Sequence, residues 1–415
     1  MKPAVIDADT GRAWTLDELE ARAQELKRDL RGRLVAFCMP NSSEWVVRFL
    51  AIQKSGGAPV ALDPSLSPDA QEQTARKIGA HFLWRDNRLQ KISAAPAIRN
   101  VWCVKVTSGT TGDPATVRCS GANMKADGRH IIRTMGIRSA DCNLAIIPLG
   151  HSYGLGNFVM PLLLQGTAVV CAETFVPRQI LQLIEEYEVT VFPAVPAILR
   201  ALAQLEGASK PPSLRLVMSA GATLSAEVAQ QFYRRYGIKI HNFYGSSETG
   251  GICYDRTGHA TLSGRSVGKP LQSVTVRIRR DGRVAVSSRA GKATLPDLGE
   301  WNRYGELRLL GRAGQVANIG GKKVAPAEIE KVLRELRGVS DAWVTVLKGP
   351  HGDDYLAAVI ESARSIAEIE RRLLNTLPTW KCPKACVVRA HLPRTARGKL
   401  DAARIKQLLD AERAA

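Results

Sequence analysis

The sequence predicts an α/β protein with two domains: a large amino-terminal domain of mostly parallel βαβ units and a small α+β carboxy-terminal domain. Three observations carry this. Up to about Asn242, short apolar runs alternate with amphipathic helical periods, as in parallel strands joined by helices. After Gly268 the pattern becomes strict polar–apolar alternation broken at Asp281-Gly282, which belongs to an antiparallel hairpin. From Pro326 a helix, two strands, a helix and a strand follow in close order. A chain of 415 residues exceeds one hydrophobic core, and a boundary near Gly314 divides it into 1–313 and 314–415.

The elements follow in order. Leu16 to Arg31 has Leu16, Leu19, Ala23 and Leu26 on one helical face, begun by Thr15 and acidic residues. Val35–Met39 reads as a buried strand, Glu44–Lys54 as a helix, Gly57–Leu62 as a short strand and Val101–Val106 as another. The alternation resumes with helix Ile180–Tyr187, strand Val189–Phe192, helix Pro196–Leu205, strand Leu214–Ser219, helix Ala226–Tyr236 and strand Lys239–Asn242. Val274–Arg279 and Arg283–Val286 pair as the hairpin, and Gly305–Leu309 adds a strand.

Composition narrows the partners. Lys+Arg number 58 against 39 Asp+Glu, a formal charge of +19, which favours anionic ligands. The basic residues are scattered, and no run reads as a nucleic-acid arm, so nucleic acid is not expected as a partner. Eight cysteines in a chain this long do not read as a disulfide framework; Cys38, Cys103 and Cys171 sit in apolar runs as buried thiols do. Cys382 and Cys386 are a close pair without a second pair to complete a zinc site. The apolar stretch from Leu144 to Cys171 is interrupted by Pro148, His151, Asn157, Pro161 and Gln165, which argues against a membrane span. The first residues lack the apolar core of a signal peptide, and a cytoplasmic location follows by elimination.

Chemistry concentrates in four segments. Thr107-Ser108-Gly109-Thr110-Thr111-Gly112 follows a strand; its hydroxyls and glycine-freed N–H groups suit a polyphosphate, as they leave a strand end where α/β folds place ligands. It lacks the Gly-Lys-Ser/Thr of a Walker A loop, and a polar turn between two strands is the plain alternative. Asn242–Gly251 is a second Gly/Ser-rich segment, with Glu248 near its end; a solvated loop carboxylate is the alternative there. Gly311-Arg312 leads towards Gly321, Pro326 and Glu328, and Pro393-Arg394-Thr395 precedes Gly398-Lys399.

In this order the four segments resemble the core motifs of the adenylate-forming superfamily, which includes acyl- and aryl-CoA synthetases, peptide-synthetase adenylation domains and beetle luciferases. The resemblance spans about residue 15 to 410. It implies a small distorted β-barrel after the parallel sheets, and activation of a carboxylic acid by ATP with Mg²⁺. The acyl group then passes to the thiol of CoA, or of the phosphopantetheine on an acidic acyl carrier protein. By the same resemblance Thr107–Gly112 holds the β- and γ-phosphates, Ser247 the α-phosphate and Glu248 the Mg²⁺. Tyr244 stacks on adenine, Gly221-Ala222 lines it, Asp297 holds the ribose, and Arg312 is a second ribose or phosphate contact. His151 lies beside the acyl carboxylate, Lys399 bridges carboxylate and α-phosphate, and Gly321 lines the pantetheine channel. A structural histidine at 151 and an ordinary strand-to-helix turn at 221–222 stay open. Pocket walls are expected from His151–Asn157, Val195, Ser219–Gly221, Tyr244–Ser246 and Thr249–Ile252. They suit an aromatic or longer fatty acid, since no fixed cation or ammonium partner is visible in them.

Three departures stand against the family pattern. The phosphate loop continues Pro114-Ala115 where a lysine is usual, the hinge position is Gly314, and the chain is shorter than ordinary members. They keep a second reading open, a non-catalytic nucleotide-binding or carrier-docking protein on the same scaffold.

Overall fold

Strands Ala168–Cys171, Cys142–Ala145, Val191–Ala194 and Leu216–Ser219 lie side by side and parallel, and nearly every residue in them is buried. Continuous apolar runs of this kind are what a sheet covered on both faces requires. In this computed structural model the described residues are 3–108, 114–313, 317–319, 322–349, 354–395, 398 and 400–414. The four strands are the middle of a nine-stranded sheet. Val5–Asp7 joins it parallel on one side and Ile240–Ser246 on the other. Antiparallel strands finish both edges: Arg12–Trp14 on one, Gly250–Tyr254 and Lys269–Pro270 on the other.

A second sheet sets Leu34–Phe37 between Ala58–Ala61 and Phe82–Arg85, all parallel. Helix Ser43–Lys54 turns Trp45, Phe49 and Ile52 into the large core, and Ser42 caps it by accepting from Trp45 N. Helix Leu16–Glu25 starts in a reciprocal capping box between Thr15 and Glu18. It ends six residues before the expected Arg31. Tertiary bonds win there: Arg28 N donates to Ser55 Oγ at 2.9 Å and Leu30 N to Ser55 O at 3.0 Å, which draws the chain off the helix.

The interrupted apolar stretch resolves into strand, helix and strand. Between Cys142–Ala145 and Ala168–Cys171 runs a helical segment from Ser152 to Gln165, with a π-turn at Leu155–Val159. Helix Gly121–Met135, not anticipated from the sequence, packs beside it: a Cβ at Gly128 would fall 2.7 Å from Met160 Cβ.

Thr275–Ile278, Arg283–Ser287, Lys292–Trp301 and Leu307–Arg312 form a four-stranded antiparallel sheet with register breaks at Arg283/Ala285 and Leu298/Gly299. These bulges curl the sheet into a half-barrel, in keeping with the small distorted barrel that the resemblance implied. The carboxy-terminal segment sets Asp354–Ser362 between antiparallel Val339–Lys348 and parallel Ala385–Arg389, covered by helices Pro326–Glu335, Ile366–Thr376 and Ala402–Ala414. The last helix was not anticipated. The two apolar clusters of this segment draw on residues from Ala317 onward, and the buried residues of the other two clusters run no further than Leu307. Among the described residues no helix is long and apolar enough to cross a membrane.

Candidate active site

Ile240–Ser246 leaves the parallel sheet and folds back antiparallel into Gly250–Tyr254, so residues 246–250 form a tight turn at the sheet's end. The turn is braced from within. Thr249 N donates to Ser246 Oγ at 3.2 Å, and the two hydroxyls lie 3.0 Å apart. Gly250 has φ +73°, a backbone state that favours glycine. Gly291 lets a neighbouring turn close against it, since a Cβ there would fall 2.4 Å from Glu248 O. The Glu248 side chain is left exposed at the tip. Ser247 Oγ lies 2.7 Å from Ser152 Oγ, which joins the turn to the start of the helical segment 152–165.

A second constellation forms around Asp297. Tyr244 Oη donates to Asp297 Oδ2 at 2.8 Å, and Arg312 Nε to Asp297 Oδ1 at 3.2 Å. Register explains the pairing, because Asp297 and Arg312 stand opposite each other on adjacent strands. Burial first, and the Asp297 charge second, push the Tyr244 phenol well above its ordinary range, so it remains a donor.

The other expected residues fall as follows. His151 precedes the 152–165 segment, and its Nδ1 accepts from Tyr153 N at 3.4 Å, so the ring partly caps the helix. Gly221, with φ +87°, and Ala222 are exposed just past the carboxyl end of Leu216–Ser219, beside the strand that carries Tyr244. Thr107 and Ser108 end the strand Cys103–Ser108, which pairs antiparallel with Pro114–Cys119. The segment expected to hold phosphates therefore begins at a strand end, as the sequence reading has it, and the strands on its two sides pair antiparallel. Gly109, Thr110, Thr111, Gly112, Gly314, Gly321 and Lys399 lie outside the described residues. Gly398, next to Lys399 in the chain, sits against the start of helix Pro196–Gln204: a Cβ there would lie 3.5 Å from Ala197 Cβ and 3.8 Å from Val195 Cγ2. Val195 is one of the expected pocket walls. The same contact zone carries Arg200 Nη2, 3.8 Å from Asp341 Oδ2, and Asp341 also accepts from Arg394 at 2.8 Å.

Sequence reasoning missed two groups here, Lys105 and Asp127, and placed Ser152 and Asn157 only as parts of a pocket wall. Lys105 Nζ donates to Ser247 O at 3.4 Å, and Asp127 Oδ1 accepts from Gly251 N at 2.9 Å. Ser152 meets Ser247, and the wholly buried Asn157 donates to Tyr153 O at 3.1 Å with its Oδ1 unpartnered. A lone lysine between two valines, Val104-Lys105-Val106, was the available signal for the first.

No set of three or more His, Cys, Asp or Glu among the described residues could cage a metal. A single exposed carboxylate fits Mg²⁺ that takes its remaining ligands from phosphate and water. Taken together, the site offers a carboxylate held by two donors, a hydroxyl-rich turn with a free-standing carboxylate, and a neighbouring helix start.

Comparison with known proteins agrees. The chain belongs to the AMP-binding enzyme family, which matches residues 1–105 and 84–292. It is 24% identical over 444 residues to 2-succinylbenzoate–CoA ligase of Listeria monocytogenes, covering 96% of this chain and 95% of that one. It is 28% identical over 335 residues to the ligase of the same name from Bacillus cytotoxicus, covering 73% and 69%. Among solved structures, o-succinylbenzoate CoA synthetase from Bacillus subtilis, in complex with its acyl-adenylate intermediate, shares the fold. Its TM-score is 0.85 at 24% identity, over 97% of this chain and 95% of that one.

Proposed function

We propose that this chain is an AMP-forming acid–thiol ligase: it joins a carboxylic acid to the α-phosphate of ATP, releases pyrophosphate, and passes the acyl group to a pantetheine thiol. The observation that carries the reading is Asp297, held between Tyr244 and Arg312 in a member of the AMP-binding family. A carboxylate with both oxygens already oriented by donors keeps lone pairs in place for two adjacent sugar hydroxyls. Tyr244 then presents its ring to the base, Gly221-Ala222 flanks it, and Arg312 adds a positive charge towards the sugar–phosphate side.

The first half-reaction needs alignment and neutralisation more than an acid or base. A carboxylate oxygen attacks the α-phosphorus as the bond to pyrophosphate breaks. In this reading Ser247 donates to the α-phosphate, Thr107–Gly112 surrounds the β- and γ-phosphates, and His151 stands beside the acid. Glu248 holds Mg²⁺, which supplies charge neutralisation on the phosphates when bound. Lys399 sits between carboxylate and phosphate, where an ammonium counters growing negative charge. In the second half-reaction the thiol sulfur attacks the acyl carbon and AMP leaves, with Gly321 in the channel.

The division into 1–313 and 314–415, pivoting at Gly314, is part of the same reading, supported by apolar clusters that do not mix the two segments among the described residues. CoA is the acceptor, as the names of the relatives suggest, and an aromatic acid is the substrate class. The reaction belongs in the cytoplasm, where ATP and CoA are supplied. The deciding experiment is pyrophosphate release across a panel of aryl, fatty and small acids, with CoA, with a carrier protein and with neither. Acid-dependent pyrophosphate and CoA-dependent thioester are expected. ATP binding without pyrophosphate release from any acid would establish the non-catalytic reading instead.

A further inference from the structure

Two charged side chains lie buried beneath the 246–250 turn, and no step above uses them. Lys105, in strand Cys103–Ser108, is 2% exposed; Asp127, in helix Gly121–Met135, is 3% exposed. Burying either charge costs several kcal/mol unless it finds partners, on the order of the effective penalty per ion. Both find them on the same turn, at opposite ends. Lys105 Nζ donates to Ser247 O, and Asp127 Oδ1 accepts from Gly251 N. The closeness is enforced by glycine, because a Cβ at Gly250 would fall 2.2 Å from the Asp127 carboxylate. Burial raises the Asp127 pKa, and the Lys105 ammonium, the Gly251 N–H and His130 oppose that rise. The two groups thus grip by its backbone the turn that carries Ser247 and Glu248.

Strand register adds a second observation. Lys105 stands opposite Val117, and Ala115 stands opposite residue 107, two positions along. Positions 105 and 115 therefore share one face of this antiparallel pair. A charge absent at 115 is present at 105, on the same face and further along the strands from their paired ends at Ser108 and Pro114.

Resting on the ligase reading, we propose that Lys105 is a positioning residue for the adenylation step: held under the Ser247 carbonyl, it sets the turn that meets the α-phosphate and provides, from beneath, positive charge that Ala115 does not provide from its own strand. Asp127 is its counterpart at the far end of the turn.

The test compares Lys105→Met, Lys105→Met/Asp127→Asn and Lys105→Met/Ala115→Lys, using binding of Mg·ATP, single-turnover adenylation and thiolysis of supplied acyl-adenylate. Loss of one charge-assisted hydrogen bond predicts about tenfold weaker Mg·ATP binding and adenylation at least about tenfold slower in Lys105→Met. Thiolysis should change by less than about threefold, since it does not load the phosphate end of the site. Removing both buried charges should restore the melting temperature and leave Mg·ATP binding weak. Ala115→Lys in the Lys105→Met background should recover most of the lost binding. Wild-type Mg·ATP binding in Lys105→Met overturns the proposal. Recovery of both stability and binding in Lys105→Met/Asp127→Asn also overturns it, because the pair would then serve folding alone. Absence of recovery with Ala115→Lys overturns the charge-supplying role. Failure of the wild type to release pyrophosphate with any acid would strike the ligase reading, whereas the binding comparison still judges Lys105.

Discussion

Tyr244 Oη and Asp297 Oδ2 lie 2.8 Å apart across 53 residues of chain. The bond ties the nine-stranded sheet, through strand Ile240–Ser246, to the bulged antiparallel sheet that carries Asp297. It holds an aromatic ring and a carboxylate in fixed relation where two sheets that share one apolar core meet. The carboxylate cannot turn away, because Arg312 holds its other oxygen.

That relation predicts different outcomes for its two ends. Tyr244→Phe keeps the ring and removes one donor, so the KM for ATP should rise by about three- to tenfold with little change in kcat, the scale of one hydrogen bond to a charged group. Asp297→Ala should raise it further, since the ribose loses its acceptor and Arg312 its partner. Steady-state kinetics in ATP check both, and an Asp297→Ala variant with wild-type KM would remove Asp297 from the nucleotide site.

Glu248→Gln keeps the shape of the exposed side chain and removes its charge. The concentration of Mg²⁺ needed for half-maximal pyrophosphate release should rise severalfold, while ATP binding measured without metal stays near wild type. An unchanged Mg²⁺ titration would place the metal ligand elsewhere.

The two half-reactions should separate at the carboxy-terminal segment. Lys399→Ala should slow adenylation by about a hundredfold or more, the scale for losing a preorganised charge at a transition state, while thiolysis of supplied acyl-adenylate survives. Gly314→Pro fixes φ near about −65° and restricts a pivot there. It should give one burst of pyrophosphate per active site, followed by slow thioester formation. Rapid-quench measurement of both products decides this; equal loss in both steps for Lys399→Ala would sink the assignment.

Acid stability should depend on Glu306. Its oxygens accept from Arg265 at 2.9 and 3.0 Å, Ser266 at 2.8 Å and Asn302 at 3.1 Å. Arg265 chiefly lowers its pKa from 4.5 to about 2. A folded-state value below the unfolded one adds stability that is complete above the unfolded pKa and is lost as pH falls through the folded one. The melting temperature of wild type should therefore exceed that of Glu306→Gln most above pH 4.5, with the gap closing towards pH 2. A gap independent of pH would show that the charge on Glu306 contributes nothing.

Local pattern was most legible where an element carries its own boundaries. Helix Ala226–Tyr236 was read residue for residue, because Ser225 caps its start and Gly237, at φ +65°, ends it. The 275–287 hairpin was legible because Asp281-Gly282 supplies its turn. The helix at 121–135 escaped because its buried face includes Asp127, His130 and Thr134, polar residues that break the apolar period.

Composition, period and turn chemistry were enough to establish an α/β chain with an antiparallel insertion and an α+β tail, and four ordered motifs were enough to point to nucleotide chemistry. These are properties of residues near one another in the chain, where hydrophobic period and turn preference act directly. Three-dimensional packing alone decided that strands 103–108 and 114–119 pair antiparallel, that Tyr244 finds Asp297, and that Lys105 reaches Ser247 from 142 residues away. Strand order and register decide such contacts. A lysine between two valines reads the same whether it faces water or a buried carbonyl, until the layer packed over it is known.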